Sequence, residues 1–199
     1  MNALNRVANI LLEPQSEWSV IARERSDPKS LYLGYVAILA ILPAAATLIS
    51  TSLVGSVGFG RLGAGVALQA ALAGYLMSLA MVLVIAFVAS ALAPRFGGQG
   101  DFGQALKLTA YALTASWVTG IFTILPVVGW LISLLGGLYS LYLVQIGAPQ
   151  LMQMPERAAV GFGILLVAMA VVITFAIGAV LAAMFGMGAI GMLGAIGRF

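Results

Sequence analysis

Cysteine and histidine are both absent from the chain. Disulfides, thiol chemistry, most zinc sites and the commonest general base are thereby excluded together. Charge is scarce as well: 8% of the 199 residues are Asp, Glu, Lys or Arg, against about 25% in an ordinary soluble domain. Between Lys107 and Glu156 no charged side chain occurs. Ionisable residues inside apolar runs are what mark proton paths, carboxylate pairs and metal sites within a membrane, and none falls within the runs described below. Proton-coupled carriers, intramembrane aspartyl or metalloproteases and serine hydrolases lacking a base are disfavoured by that absence. The chain is therefore expected not to be an enzyme and to need no cofactor and no metal. The net charge of +3 is spread out with no Lys/Arg cluster, so no nucleic-acid partner is expected.

What remains is 62% hydrophobic, with a mean hydropathy of +1.11. A soluble protein this apolar would have no surface left to face water, so the bilayer must be its solvent. A helix of about 20 apolar residues crosses a hydrocarbon core about 30 Å thick, and the sequence divides into five such runs. The first covers about 31–54, with Pro43 in its middle as a hinge that removes one backbone bond. The second covers 66–92 and stops at Pro94; the third and fourth make a hairpin over 108–146, turning at Leu125, Pro126, Val127, Val128 and Gly129; the fifth covers 158–185. The expected fold class is all-α: a polytopic bundle of five transmembrane helices preceded by short amphipathic interfacial helices. The expected divisions are an amphipathic cytoplasmic segment at 1–30, the bundle at 31–185, and a glycine-rich apolar tail at 186–199.

In the first segment Leu4, Val7 and Leu11 recur at helical spacing, and Pro14 suits the first turn of a second short helix carrying Trp18, Ile21 and Ala22. Neither helix is long enough to span. One reading lays them in the interface, with Pro14 and Trp18 as the anchor and Glu13, Glu17, Arg23 and Glu24 in water; the other packs them as a tail on the bundle. Arg6, Arg23, Arg25 and Lys29 are matched by Glu13, Glu17, Glu24 and Asp27, so no polybasic lipid switch is present. In the last segment Gly188, Gly191, Gly194 and Gly197 recur every three residues, which predicts a helix break near Gly186 and Gly188 or a close-packing glycine row. With five spans, seven of the nine Lys and Arg residues fall on the amino-terminal side, and only Arg61 and Arg198 on the other. The positive-inside rule then places the amino terminus in the cytoplasm and the carboxyl terminus on the far side of a cell (inner) membrane.

Polar side chains are concentrated in the hairpin. Tyr139, Tyr142 and Gln145 lie three apart on one helix, and Tyr111 and Trp117 could face them from the other. Together these five form the candidate interaction face. They either line a polar crevice or partner groove, or simply hydrogen-bond between helices. Asp101 and Gln104 resemble a capping box at the start of the third helix.

The order of features resembles the Yip1 family of five-span membrane proteins in its bacterial branch. The likeness is carried by Pro14, Trp18 and Ile21 ahead of the first span, Tyr111, Pro126 and Gly129 in the hairpin, the Tyr139-Ser140-Leu141-Tyr142 segment, Gly147, and the Met154-Pro155-Glu156-Arg157-Ala158 entry to the last helix. It runs from about residue 4 to 182. The resemblance implies five spans, a cytoplasmic amino terminus and no catalysis; eukaryotic relatives are trafficking factors that bind prenylated Rab GTPases and shape membranes. The functional expectation is a non-enzymatic membrane-organising scaffold that binds lipids, copies of itself or other membrane proteins. The alternative is a small oligomeric channel or transporter with a Tyr/Gln/Ser-lined path between the third and fourth helices.

Overall fold

The computed structural model describes residues 3–24, 27–55, 63–125 and 127–196, with side chains described from 4 to 179. All regular structure among them is helical. Two short helices come first, α1 (Ala3–Leu12) and α2 (Pro14–Arg23). Asp27 then caps a long bent helix, α3 (Pro28–Val54), by accepting a hydrogen bond from the Ser30 N–H at 3.0 Å. Pro28 occupies its first turn, where a missing N–H costs nothing. The helix is interrupted at Ala40, three residues before Pro43, whose ring removes a backbone donor and crowds the preceding turn. Pro43 thus lies one turn beyond the interruption.

Helix α4 (Ala64–Leu92) tightens into a 3₁₀ turn, Ala93–Phe96, and ends at Gly97 with φ 77°, a conformation only glycine takes without strain. Asp101 caps the next helix, α5 (Phe102–Ala112), accepting from Gln104 N–H at 2.7 Å. Only this half of the capping box forms, since Gln104 Oε1 is buried with no partner. A short helix α6 (Thr114–Thr119) and a 3₁₀ turn, Gly120–Ile124, lead to the corner, and α7 (Val128–Met152) and α8 (Glu156–Ile196) follow.

Among the described residues, four helices are long and apolar enough to cross a membrane: Pro28–Val54, Ala64–Phe96, Val128–Met152 and Glu156–Ala179. The expected third continuous span is not one of them, because it is broken into α5, α6 and the 3₁₀ turn. Thr109 and Thr119 turn their hydroxyls back onto the carbonyls of Ala105 and Ala115, both at 2.9 Å, a bond that bends helices. At Gly120 a Cβ would lie 2.9 Å from Pro43 Cβ, so the bend of α3 presses on this segment where it tightens. Two further boundaries differ. Helix α7 runs on through Pro149 to Met152, past the expected end at 146, and α8 continues unbroken past Gly186 and Gly188, where a break was expected.

Helix α7 is the hub and packs against α2, α5, α6 and α8. Its small residues decide how closely. A Cβ on Gly136 would overlap Thr119 Oγ1, and one on Gly147 would lie 2.8 Å from the Trp18 ring and from Leu108 Cδ1. At the corner, a Cβ on Gly129 would overlap the Phe122 carbonyl, so the return of the chain requires glycine there. Pro126 lies outside the described residues, as do Arg25, Arg61 and Arg198 of the orientation count. Large apolar side chains face outward, with Leu72, Leu76, Phe87, Trp130, Leu135 and Leu138 all exposed, as suits a surface solvated by hydrocarbon.

The amino-terminal helices pack on the bundle. Ile10, Trp18 and Ile21 are fully buried, which corrects the reading of Trp18 as a headgroup-level anchor: its ring fills the notch left by Gly147. Pro14, the other expected anchor, starts α2 and is half-buried. Glu17 is buried as well and does not stay in water.

Candidate functional site

The five candidate residues do not share one face. Tyr111 and Trp117 point inward and are each 5% exposed. The Tyr111 ring meets Trp18 edge-on at 6.3 Å and Tyr35 at 4.9 Å, and the Arg6 guanidinium lies over it at 5.7 Å. Trp117 Nε1 donates to Ser78 Oγ at 3.2 Å. Nearby, the Tyr35 and Thr114 hydroxyls share a 2.7 Å bond, and Ser116 and Ser140 share one of 2.8 Å across α6 and α7. These polar groups of the broken helix are thus paired within the bundle.

Tyr139, Tyr142 and Gln145 lie on another side of α7, toward α1 and α2. Tyr139 donates to the Leu11 carbonyl at 2.8 Å, and its ring packs against Tyr142 at 5.6 Å. Tyr142 is 42% exposed. With Gln145 it lines a cavity of about 360 Å³ together with Gln15, Ile146, Pro149, Gln150 and Glu156. A second cavity of about 410 Å³, lined by Leu12, Glu13, Pro14, Gln15, Ser16 and Tyr142, adjoins it. The face expected between the third and fourth helices is therefore split: its outer half forms a groove with α2.

Sequence reasoning missed the latch that holds α1 and α2 in place. Buried Arg6 pairs with buried Glu17 and, at 2.6 Å, with Glu24; Asn9 donates to Glu17 at 3.1 Å, and buried Lys107 donates to the Glu24 carbonyl. Burial works against the Arg6 charge, but the hydrogen bond to Glu24 and the carboxylates around it more than offset this and hold its pKa above the ordinary value. A signal was present in the sequence: Arg6, Glu17 and Glu24 are opposite charges on two consecutive short helices. Removing one member would strand a buried charge, so the network fixes how the helices dock more than it adds stability.

An apolar cleft of about 280 Å³ lies among Ile85, Leu113, Val144, Leu166, Val171 and Phe175. The hydroxyls on its wall are already bonded: Thr109 and Thr174 to carbonyls one turn back, Ser116 and Ser140 to each other. It offers hydrocarbon contact and no free polar partner. Among the described residues no group of three or more Asp or Glu side chains is placed to hold a metal ion.

Long apolar helices with large apolar side chains exposed on them mark an all-α integral membrane protein. The Yip1 domain model matches residues 8–178, and the chain belongs to that family. No curated protein and no solved structure matches it.

Proposed function

We propose that this Yip1-family protein is a non-enzymatic scaffold of a bacterial cell (inner) membrane, which organises the bilayer by binding lipids or neighbouring membrane proteins through its outer helix faces. The broken segment 102–124 serves as the third of five crossings, which puts the amino terminus in the cytoplasm and the carboxyl terminus outside. The observation that carries the reading is the pairing of polar groups inside the bundle. Tyr35 with Thr114, Ser116 with Ser140 and Trp117 with Ser78 tie polar groups together between helices, whereas a conduit is lined by polar groups that face a continuous space. Family membership supports the same reading, since Yip1 proteins are generally not enzymes.

The test is purification from native membranes in a lipid-retaining polymer, followed by mass spectrometry and by reconstitution into vesicles for ion and solute flux. A scaffold returns a reproducible set of lipids or membrane proteins and sustains no flux above empty vesicles. Flux that depends on the protein, with no retained partner, would replace this reading with transport.

A further inference from the structure

On three of the long helices an outward apolar stripe ends in an exposed cation. On α3, Lys29 stands one turn before Leu33, and the exposed stripe continues through Ile38 and Ile41. On α4, Arg95 follows Phe87 and Ala91 at intervals of four residues, all three exposed. On α8, Arg157 shares a face with Val160, Ile164, Val171 and Phe175, which recur at helical spacing and are all exposed. The three cations lie at one end of the bundle. There a Cβ on Gly97 would lie 3.5 Å from Pro155 Cδ and one on Gly103 3.9 Å from Pro28 Cγ, and Gln99 N–H donates to the Met152 carbonyl at 2.7 Å. At the other end of the stripes, near Val54, Val66 and Phe175, no described residue is charged.

The stripes themselves place the cations relative to lipid. From Leu33 to Val54, exposed apolar side chains extend over roughly 30 Å at 1.5 Å per residue, the thickness of a hydrocarbon core. Lys29, one turn before Leu33, is then at headgroup level, and Arg157, one turn before Val160, takes the same place on α8. Among the described residues none of the three side chains has a hydrogen-bond or ion-pair partner. The carboxylates are engaged elsewhere. Asp27 and Asp101 cap helices, Glu17 and Glu24 hold Arg6, and Glu13 and Glu156 line the cavities beside Tyr142. A cation at the foot of an apolar stripe matches a ligand with a phosphate at one end and hydrocarbon beyond it. An acidic protein would instead require polar surface around each cation, and here the surface beyond each one is apolar.

We propose that Lys29, Arg95 and Arg157 seat the phosphates of phospholipids of net negative charge, such as phosphatidylglycerol, with the acyl chains lying along the stripes. The proposal deepens the scaffold reading by naming the lipid class. It rests on the outer helix faces meeting lipid, and it holds whichever side of the membrane this end faces.

Two measurements on the full chain test it. In the first, protein in nanodiscs of equal phosphatidylglycerol and phosphatidylcholine is released into detergent, and the retained lipids are counted by native mass spectrometry. Phosphatidylcholine has the same phosphate but carries its own cation. Retention of phosphatidylglycerol about fivefold over phosphatidylcholine is expected, as one cation near a membrane surface implies. The combined variant Lys29→Gln, Arg95→Gln and Arg157→Gln should fold, because these side chains hold no partner, and should retain the two lipids equally. Equal retention by the wild type, or a preference that survives in the variant, would overturn the proposal. In the second, a nitroxide on Ile164→Cys should be relaxed by oxygen and not by a water-soluble nickel chelate, with the reverse for Gln153→Cys. Relaxation of the Ile164→Cys label by the chelate would refute the placement of the cations. Solute flux tests the scaffold reading separately, so either can fail alone.

Discussion

Gly147→Ala is the most informative single perturbation of the fold. The added methyl would lie 2.8 Å from two atoms of the Trp18 ring and from Leu108 Cδ1, and Trp18 is fully buried with no room to withdraw. Overpacking of a tight interior costs about 1–3 kcal/mol, equivalent to a fall in melting temperature of roughly 2–12 °C for a chain of this size. The strain falls on the seam between α2 and α7, so the effect should couple to the tryptophan. Trp18→Phe is smaller and destabilises alone by leaving a gap, but in the double variant it makes room for the methyl. A double-mutant cycle should therefore give a favourable interaction of about 0.5–3 kcal/mol. Thermal unfolding in detergent supplies the stabilities. Trp18 fluorescence, with Trp117 and Trp130 replaced by Phe, reports whether the ring stays buried. A neutral Gly147→Ala, or strictly additive effects, would show that Trp18 does not occupy the notch and would refute the docking of α2.

Arg6→Ala leaves Glu17 buried without its cation and should cost about 3–5 kcal/mol, read out as faster tryptic cleavage at the exposed Arg23; unchanged cleavage would count against the latch. Gly136→Ala has no space beside Thr119, and the expected loss of about 1–3 kcal/mol should be partly restored by Thr119→Ala, as measured by thermal unfolding. Gln145→Leu should cost under about 1 kcal/mol, since a polar contact within a membrane protein is worth little and Leu is at home there. It should also leave proteoliposome flux at background, and a folded variant that abolishes a measurable wild-type flux would favour a conduit.

Much of the architecture was legible because hydrophobic run length and the near absence of charge decide it: the spans near 31–54, 66–92 and 128–146 and the Asp27 and Asp101 caps all follow from local chemistry. The continuity of the third span was not legible. Whether Thr109 and Thr119 bend a helix depends on which neighbour presses on it, and here that neighbour is Pro43, far away in sequence. The choice between the two readings of Trp18 was not legible for a related reason. An amphipathic helix has the same pattern whether its apolar face meets lipid or protein, and the notch at Gly147 that decides between them is a tertiary feature. The candidate face failed as a unit because three-residue spacing drifts around a helix. Ser140 consequently turns into the bundle while Tyr142 and Gln145 turn toward α2.

The crossing of the broken segment 102–124 underlies the span count, the orientation and the side of the membrane on which the α2–α7 groove opens. The native chain has no cysteine, so single cysteines at Gln99, Val127 and Gln153 can be labelled on intact cells against a clean background. All three positions are exposed. Val127→Cys should react with an impermeant thiol reagent added outside, and Gln99→Cys and Gln153→Cys should react only after the membrane is opened. Protection of Gln99→Cys and Val127→Cys with labelling of Gln153→Cys would show that segment 102–124 does not cross, and labelling of Gln99→Cys with Val127→Cys protected would invert the protein.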